Sequence, residues 1–235
     1  MFYFEKIDNK KILKSTLIDN AFFTTKESFI YTKDSQFEEI AHQNKQSIKA
    51  FLNIENLISP IQEHTANIKI VNKKDQYINT DGLILTKKDS AIFLNFADCV
   101  PLIFYEKEKN IGAIAHAGWR GTAQKIGIKT IQKMQRLGCK IENIQAIIGP
   151  CIDKCCFEVK EDVQKKLYQT INLNPPHQEK IFVDLKEINK LQLQSLGIKN
   201  IDICPYCTVC NNDLFFSYRK ENATKNRHSA ILYLK

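Results

Sequence analysis

The sequence lacks any apolar run long enough to cross a bilayer. Its most apolar stretch, residues 91–105, is interrupted by Asn95 and Asp98, whereas a spanning helix needs about 20 apolar residues. The first residues, Met-Phe-Tyr-Phe-Glu-Lys-Ile-Asp, turn acidic at once and show no apolar core of a secretory signal. A cytoplasmic location without a membrane partner is therefore expected. No internal repeat, low-complexity tract or Pro/Gly/Ser linker divides the 235 residues. A single domain over residues 1–235 is the simplest organisation, with residues 172–176 (Asn-Leu-Asn-Pro-Pro) reading as a surface loop.

Cysteine is too sparse for a disulfide scaffold, at eight in 235 residues. In a reducing compartment such thiols point to metal or catalysis before disulfides. Nor does the positive charge mark a nucleic-acid binder. The formal net charge is +8, but the cations are mostly lysines scattered along the chain. The densest clusters, residues 10–14 and 69–74, are short and lack interleaved aromatics. A solvated Lys-rich surface accounts for them, and no nucleic-acid partner is expected. What the chain does have is core material: 43% hydrophobic residues, with 14 Phe and 8 Tyr, the balance of an ordinary globular protein.

Apolar spacing predicts an amphipathic helix over 37–52, with polar Asn44 breaking its stripe. Strands are predicted at 91–96, 100–105, 111–115 and 144–148. Pro101 falls near a strand start, where a missing N–H is tolerated. After a break at Gly118 and Gly121, the residues Ala123, Ile126, Thr130, Met134 and Leu137 line one helix, which Gly138 ends. Asp184 caps a further helix running to Gly197, and a last strand is predicted at 229–234. Strands and helices alternate without the rhythm of a doubly wound fold. The expected class is α+β, with a mixed sheet and flanking helices.

Three segments offer chemistry: Gln62-Glu-His64, Ala97-Asp98-Cys99 and His116-Ala-Gly-Trp-Arg120-Gly121. Loops held at strand ends by a rigid scaffold tend to carry function. Thiolate and imidazole suit zinc and copper. His64, Cys99 and His116 together would leave a fourth position open, as in a catalytic zinc site rather than a structural one. Zinc there would lower the pKa of a bound water to about 7, and Asp98, beside a ligand, is placed to shuttle protons. Arg120 opens a helix after flexible glycines, where an anion such as phosphate could be clamped. Residue type alone leaves plainer readings open. A buried His is commonly a satisfied core residue, a Cys a small hydrophobe, and Arg120 could pair with a surface carboxylate. Cys204-Pro-Tyr-Cys207-Thr-Val-Cys210 has CxxC spacing and Cys151 to Cys156 is a second cluster. A closed structural metal site, a redox pair and free thiols all fit that pattern.

Other segments join these three: Thr80-Asp-Gly-Leu-Ile-Leu-Thr86, Ile148-Gly-Pro-Cys-Ile152, Cys156-Phe-Glu-Val159 and Leu214-Phe-Phe-Ser-Tyr-Arg219. Together they resemble the purine nucleoside phosphorylase family formerly called multicopper polyphenol oxidases, or laccase-domain proteins. The matches run in family order across roughly residues 58–235. The resemblance implies a mixed β-sandwich flanked by helices and a zinc site at His64, Cys99 and His116. It implies phosphorolysis of adenosine, inosine, guanosine and methylthioadenosine, and deamination of adenosine. Purine nucleosides and phosphate are then the partners; Asp98 and Arg120, read above from their positions, and the ligand Cys99 are the residues expected to be catalytic. A homodimer stays open as an assembly. Some members of the family are described as peptidoglycan-editing factors. Two departures stand out. The family's Ser-Leu-Asn-Leu-Gly segment is missing around residues 22–34, and its Thr-Gly-Arg becomes Thr224-Lys-Asn-Arg227.

Copper is the weaker metal expectation. A multicopper oxidase needs a His-rich ligand set, and of five histidines His42, His177 and His228 have no partner motif. A single centre of two His and one Cys can move electrons but cannot by itself reduce oxygen to water.

Overall fold

The computed structural model describes residues 1–72, 76–176 and 179–235. His177 and the end of the 69–74 lysine cluster lie outside the described residues. The first part of the chain builds β1 (Phe2–Ile7), β2 (Lys10–Ser15), β3 (Ala21–Thr24), β4 (Tyr31–Thr32), α1 (Glu38–Leu52) and β5 (Leu57–Ile58). The middle builds β6 (Ile68–Ile70), β7 (Gly82–Leu85), β8 (Ser90–Phe96), β9 (Val100–Glu106), β10 (Ile111–Ala117), α2 (Trp119–Ala123), α3 (Ile126–Arg136) and β11 (Ile144–Ile148). Then follow α4 (Glu161–Gln169), α5 (Leu185–Ser195), β12 (Asn200–Ile203) and β13 (Asn226–Leu234).

These strands form two mixed sheets. One runs β1-β2-β3-β13-β8-β5, with β4 also on β13; the other runs β12-β11-β9-β10-β7-β6. Most pairs are antiparallel, but β5 with β8, β6 with β7 and β11 with β12 are parallel. The expected α+β sandwich is what the chain adopts, and side-chain alternation explains it. Leu13, Phe23, Ile92, Leu94 and Leu232 of the first sheet meet Leu83, Ile103, Ile114 and Ile147 of the second in one buried cluster. On the far side of the first sheet, Phe93, Ile231 and Phe22 pack on Ile48 and Leu52 of α1. Beyond the second sheet, Leu102, Phe104 and Ile148 pack on Ile131 and Met134 of α3 and Ile188 and Leu193 of α5. Because β8, β9 and β10 are covered on both faces, they read as near-continuous apolar runs.

Asn44, which breaks the α1 stripe, is buried with partners: it donates to the Phe29 carbonyl at 2.8 Å and accepts from Lys10 Nζ. A buried amide left unpaired would cost about 1–3 kcal/mol. Asp184 caps α5 by accepting from the Glu187 N–H at 2.9 Å. Gly138 and Gly197 follow α3 and α5 with φ of +90° and +94°, the left-handed ending that glycine permits. One expectation needs correcting. The single helix after Gly118 is two, α2 and α3, because Lys125 takes φ 58° and breaks the helical course.

Candidate metal centre

The three segments singled out in the sequence meet at one end of the sandwich. Cys99 lies in the short turn from β8 to β9, which carries the chain from one sheet to the other. Asp98 makes this turn at φ 84°, a conformation that Asp tolerates better than most side chains. His116 is the penultimate residue of β10. His64 sits in the loop between β5 and β6 at φ 59°. The ligand-capable atoms of His64, Cys99 and His116 all lie within 4.8 Å of one another, and the two imidazole centroids are 4.8 Å apart. His116 is buried and His64 exposed, so the centre is rooted in the core and open on one side.

Asp81, which precedes β7, organises the cluster. Its carboxylate accepts the backbone N–H groups of Glu63, His64 and Thr65 at 3.2, 3.1 and 2.7 Å, and the Thr65 hydroxyl at 2.8 Å. These bonds hold the His64 loop in its left-handed turn. The same carboxylate lies 2.7 Å from His116 Nδ1. Burial pushes its pKa up, but hydrogen bonds from His116 and Thr65 outweigh that and hold it at about 2. An ionised carboxylate only accepts, so His116 Nδ1 carries the proton and Nε2 is left for a metal. Such carboxylate–imidazole pairs fix ligand orientation in metal sites.

Burial also pushes the Cys99 thiol up, yet the charges and hydrogen bonds of His116 and His64 bring it down to about 6. His116 is pulled down by burial and lifted to about 9 by Cys99 and Asp81. The site therefore favours a thiolate, the form that binds metal. Gly118 is the close approach that makes room: a Cβ there would lie 2.8 Å from Cys99 Sγ. Gln62 pins the adjoining loop, exchanging two hydrogen bonds with the Asn95 backbone at 2.9 and 2.8 Å. Two imidazoles and a thiolate with an open side fit a catalytic zinc ion.

The centre lines a cleft of about 600 Å³ with Tyr31, Phe157, Tyr218, Asp98, Arg219 and Arg227. Asp98 belongs to it, and both its oxygens are engaged: Thr208 donates at 2.6 Å and the Arg219 N–H at 2.7 Å. Arg120 does not line the cleft. Its guanidinium stacks 4.4 Å from the Trp119 ring centroid, and the residue is exposed in the five-residue α2. The cleft's guanidiniums come instead from Arg219 and Arg227, at the two C-terminal segments the family motifs mark. Tyr31 and Lys33 also reach the cleft, so the region that departs from the family's N-terminal segment still forms part of its wall.

Sequence reasoning missed Asp81, whose partner His116 lies 35 residues away; its only signal was the Thr80-Asp-Gly match. His228 is buried between Phe96 and Phe215, and burial pulls its pKa down to about 3. It is a neutral core residue. Of the other cysteines, Cys155, Cys156, Cys207 and Cys210 come together, whereas Cys151 and Cys204 are buried in the apolar core.

An α+β sandwich with a candidate metal centre at the mouth of a cleft is the class these features describe, and comparison with known proteins narrows it. The family model for Multi-copper polyphenol oxidoreductase laccase matches residues 29–235. The Purine nucleoside phosphorylase YlmD of Geobacillus stearothermophilus is 34% identical over 190 residues, 73% of this chain and 69% of the relative. The Purine nucleoside phosphorylase of Aquifex aeolicus is 31% identical over 211 residues, 89% of this chain and 98% of the relative. Adenosine deaminase RL5, from an unknown prokaryotic organism, is 29% identical over 202 residues, 78% of this chain and 77% of the relative. The crystal structure of YlmD from Geobacillus stearothermophilus superposes with a TM-score of 0.86 at 28% identity, covering 99% of both chains. The chain belongs to the multi-copper polyphenol oxidoreductase laccase family, whose relatives here carry purine nucleoside phosphorylase and adenosine deaminase names. Among the described residues, no helix is long and apolar enough to cross a membrane.

Proposed function

We propose that this chain is a zinc-dependent purine nucleoside phosphorylase of the cytoplasm, with adenosine deaminase and methylthioadenosine phosphorylase activity. The observation that carries the reading is the opening of the three-ligand centre into a cleft that also holds Arg219 and Arg227. The names of the relatives support the substrate class. His64, Cys99 and His116 would hold the metal, which when bound supplies Lewis acidity at one end of the cleft.

The chain's own residues do the rest. Arg219 and Arg227 hold phosphate, matching its geometry with planar guanidinium forks. This role, read from sequence for Arg120, passes in the proposal to the two arginines in the cleft. Tyr31, Phe157 and Tyr218 offer aromatic faces to a purine. In phosphorolysis a phosphate oxygen forms a bond to the ribose anomeric carbon, the bond to the purine nitrogen breaks, and that nitrogen takes a proton. Asp98 is the cleft carboxylate proposed to handle protons, and the bonds from Thr208 and Arg219 fix where it stands.

Zinc is favoured over copper because, among the described residues, no second cluster with histidine accompanies the first. The experiment is to incubate zinc-loaded protein with adenosine and phosphate and separate the products by chromatography. Adenine or hypoxanthine together with ribose 1-phosphate is the expected result. A protein with zinc confirmed bound that yields none of these, and no inosine, overturns the reading.

A further inference from the structure

Four cysteines outside the cleft gather at one point of the surface. Cys155 and Cys156 sit in the turn after β11, and Cys207 and Cys210 sit in the loop after β12. Their sulfurs all lie within 4.8 Å of one another. Cys155 to Cys156 is 3.4 Å, Cys155 to Cys210 is 3.6 Å, and Cys156 to Cys210 is 3.5 Å. A disulfide needs about 2.05 Å. Zinc held tetrahedrally by thiolates at about 2.3 Å leaves its sulfurs about 3.8 Å apart. The observed spacings are close to the edges of that tetrahedron.

The backbone is set for the same geometry. The Asp153 N–H points at Cys207 Sγ at 3.4 Å, and the N–H groups of Cys210 and Val209 face the same sulfur. Such N–H donors stabilise a ligating thiolate. A parallel bridge between Cys151 and Cys207 aligns the two segments, and the Thr208 N–H donates to the Cys151 carbonyl at 3.0 Å. The turn is closed by bonds from Cys156 and Phe157 N–H to the Asp153 carbonyl, each 2.9 Å. The four sulfurs are thus brought into contact by two segments held in register, one of them a CxxC turn.

We propose that Cys155, Cys156, Cys207 and Cys210 form a second, closed metal site that takes a thiophilic tetrahedral cation, zinc, in a structural role. Four protein ligands leave no open position for substrate. The site staples two segments that wall the cleft: the first carries Ile152 and Phe157, the second leads to Tyr218 and Arg219. Thr208, between two of the ligands, also donates to Asp98. The proposal stands whatever reaction the cleft performs.

The test uses reduced Cys99→Ala protein, in which the first centre is disabled, titrated with cobalt(II) under nitrogen. Expected is one equivalent bound, with sulfur-to-cobalt absorption in the near ultraviolet and tetrahedral bands in the red, all displaced by one equivalent of zinc. Adding Cys155→Ser and Cys210→Ser must abolish the signal while circular dichroism stays native. Folded Cys99→Ala that binds no cobalt overturns the proposal. So does a disulfide joining these cysteines that, once reduced, leaves no metal affinity. Should the Cys99 variant not fold, zinc analysis of the wild type beside folded Cys155→Ser/Cys210→Ser decides: one equivalent fewer in the double variant supports the site, and equal zinc content refutes it.

Discussion

The two sulfur-bearing clusters of this protein differ in what surrounds the ligands. The His64–Cys99–His116 centre has three ligands of mixed type, a buried carboxylate behind one of them and a cleft in front. The Cys155–Cys156–Cys207–Cys210 cluster has four sulfurs and backbone N–H donors around one of them. Donor count and access separate a reacting centre from a fastening one. Each cluster joins segments far apart in sequence, and the first stands beside the charged and aromatic side chains of the cleft.

The sharpest way to break this comparison is His116→Ala. On the proposed reading His116 is a metal ligand of the reacting centre, and its loss removes several kcal/mol of transition-state stabilisation, so turnover should fall about 10³-fold or more. The second equivalent of metal should remain, by elemental analysis of the purified variant. Turnover within a few fold of wild type would erase the distinction between the clusters.

Asp81→Asn comes next. It removes the charge that orients His116 and the His64 loop, so zinc affinity should drop about 10–100-fold, read by competition with a chromophoric chelator. Unchanged affinity would mean that the carboxylate only braces the loop.

A third effect is about tenfold per pH unit. In the metal-free centre Cys99 is a thiolate above about 6, while His116 keeps an extra proton up to about 9. Metal requires that proton to leave. Because the pKa of His116 is raised, zinc affinity should climb with pH from neutrality, then flatten as pH passes about 9. A flat titration between pH 7 and 8.5 contradicts the geometry drawn for Asp81 and His116.

The smallest effect separates two arginines. Arg219→Ala should raise the KM for phosphate about tenfold, the scale of one charge-assisted hydrogen bond. Arg120→Ala should leave it unchanged, since that side chain stacks on Trp119 outside the cleft. Steady-state kinetics with phosphate varied decides between them, and the reverse pattern would return the anion site to the start of α2.

Where the chain is buried on both faces, the sequence was legible. β8, β9 and β10 announce themselves as apolar runs, and Asp184 and Gly138 announce helix ends. The N-terminal strands were not legible: β1 exposes Tyr3 and Phe4 at the edge of its sheet, so its apolar residues do not alternate. The break at Lys125 was hidden because a left-handed lysine leaves no mark in an apolar stripe. Residue type nominated His64, Cys99 and His116 and family resemblance strengthened them, but nothing local tied Asp81 to His116 or showed that Arg219 and Arg227, rather than Arg120, line the cleft. Those depend on which loops the sandwich brings to one end.

The most direct measurement couples metal to chemistry: phosphorolysis of adenosine by zinc-loaded, chelated and reloaded wild type, beside folded Cys99→Ala, with zinc counted in every sample. Ribose 1-phosphate formation that disappears with the metal at the His64–Cys99–His116 centre, returns on reloading and is missing in Cys99→Ala is the result this account predicts. Phosphorolysis that persists with that centre empty, or in Cys99→Ala, would contradict it.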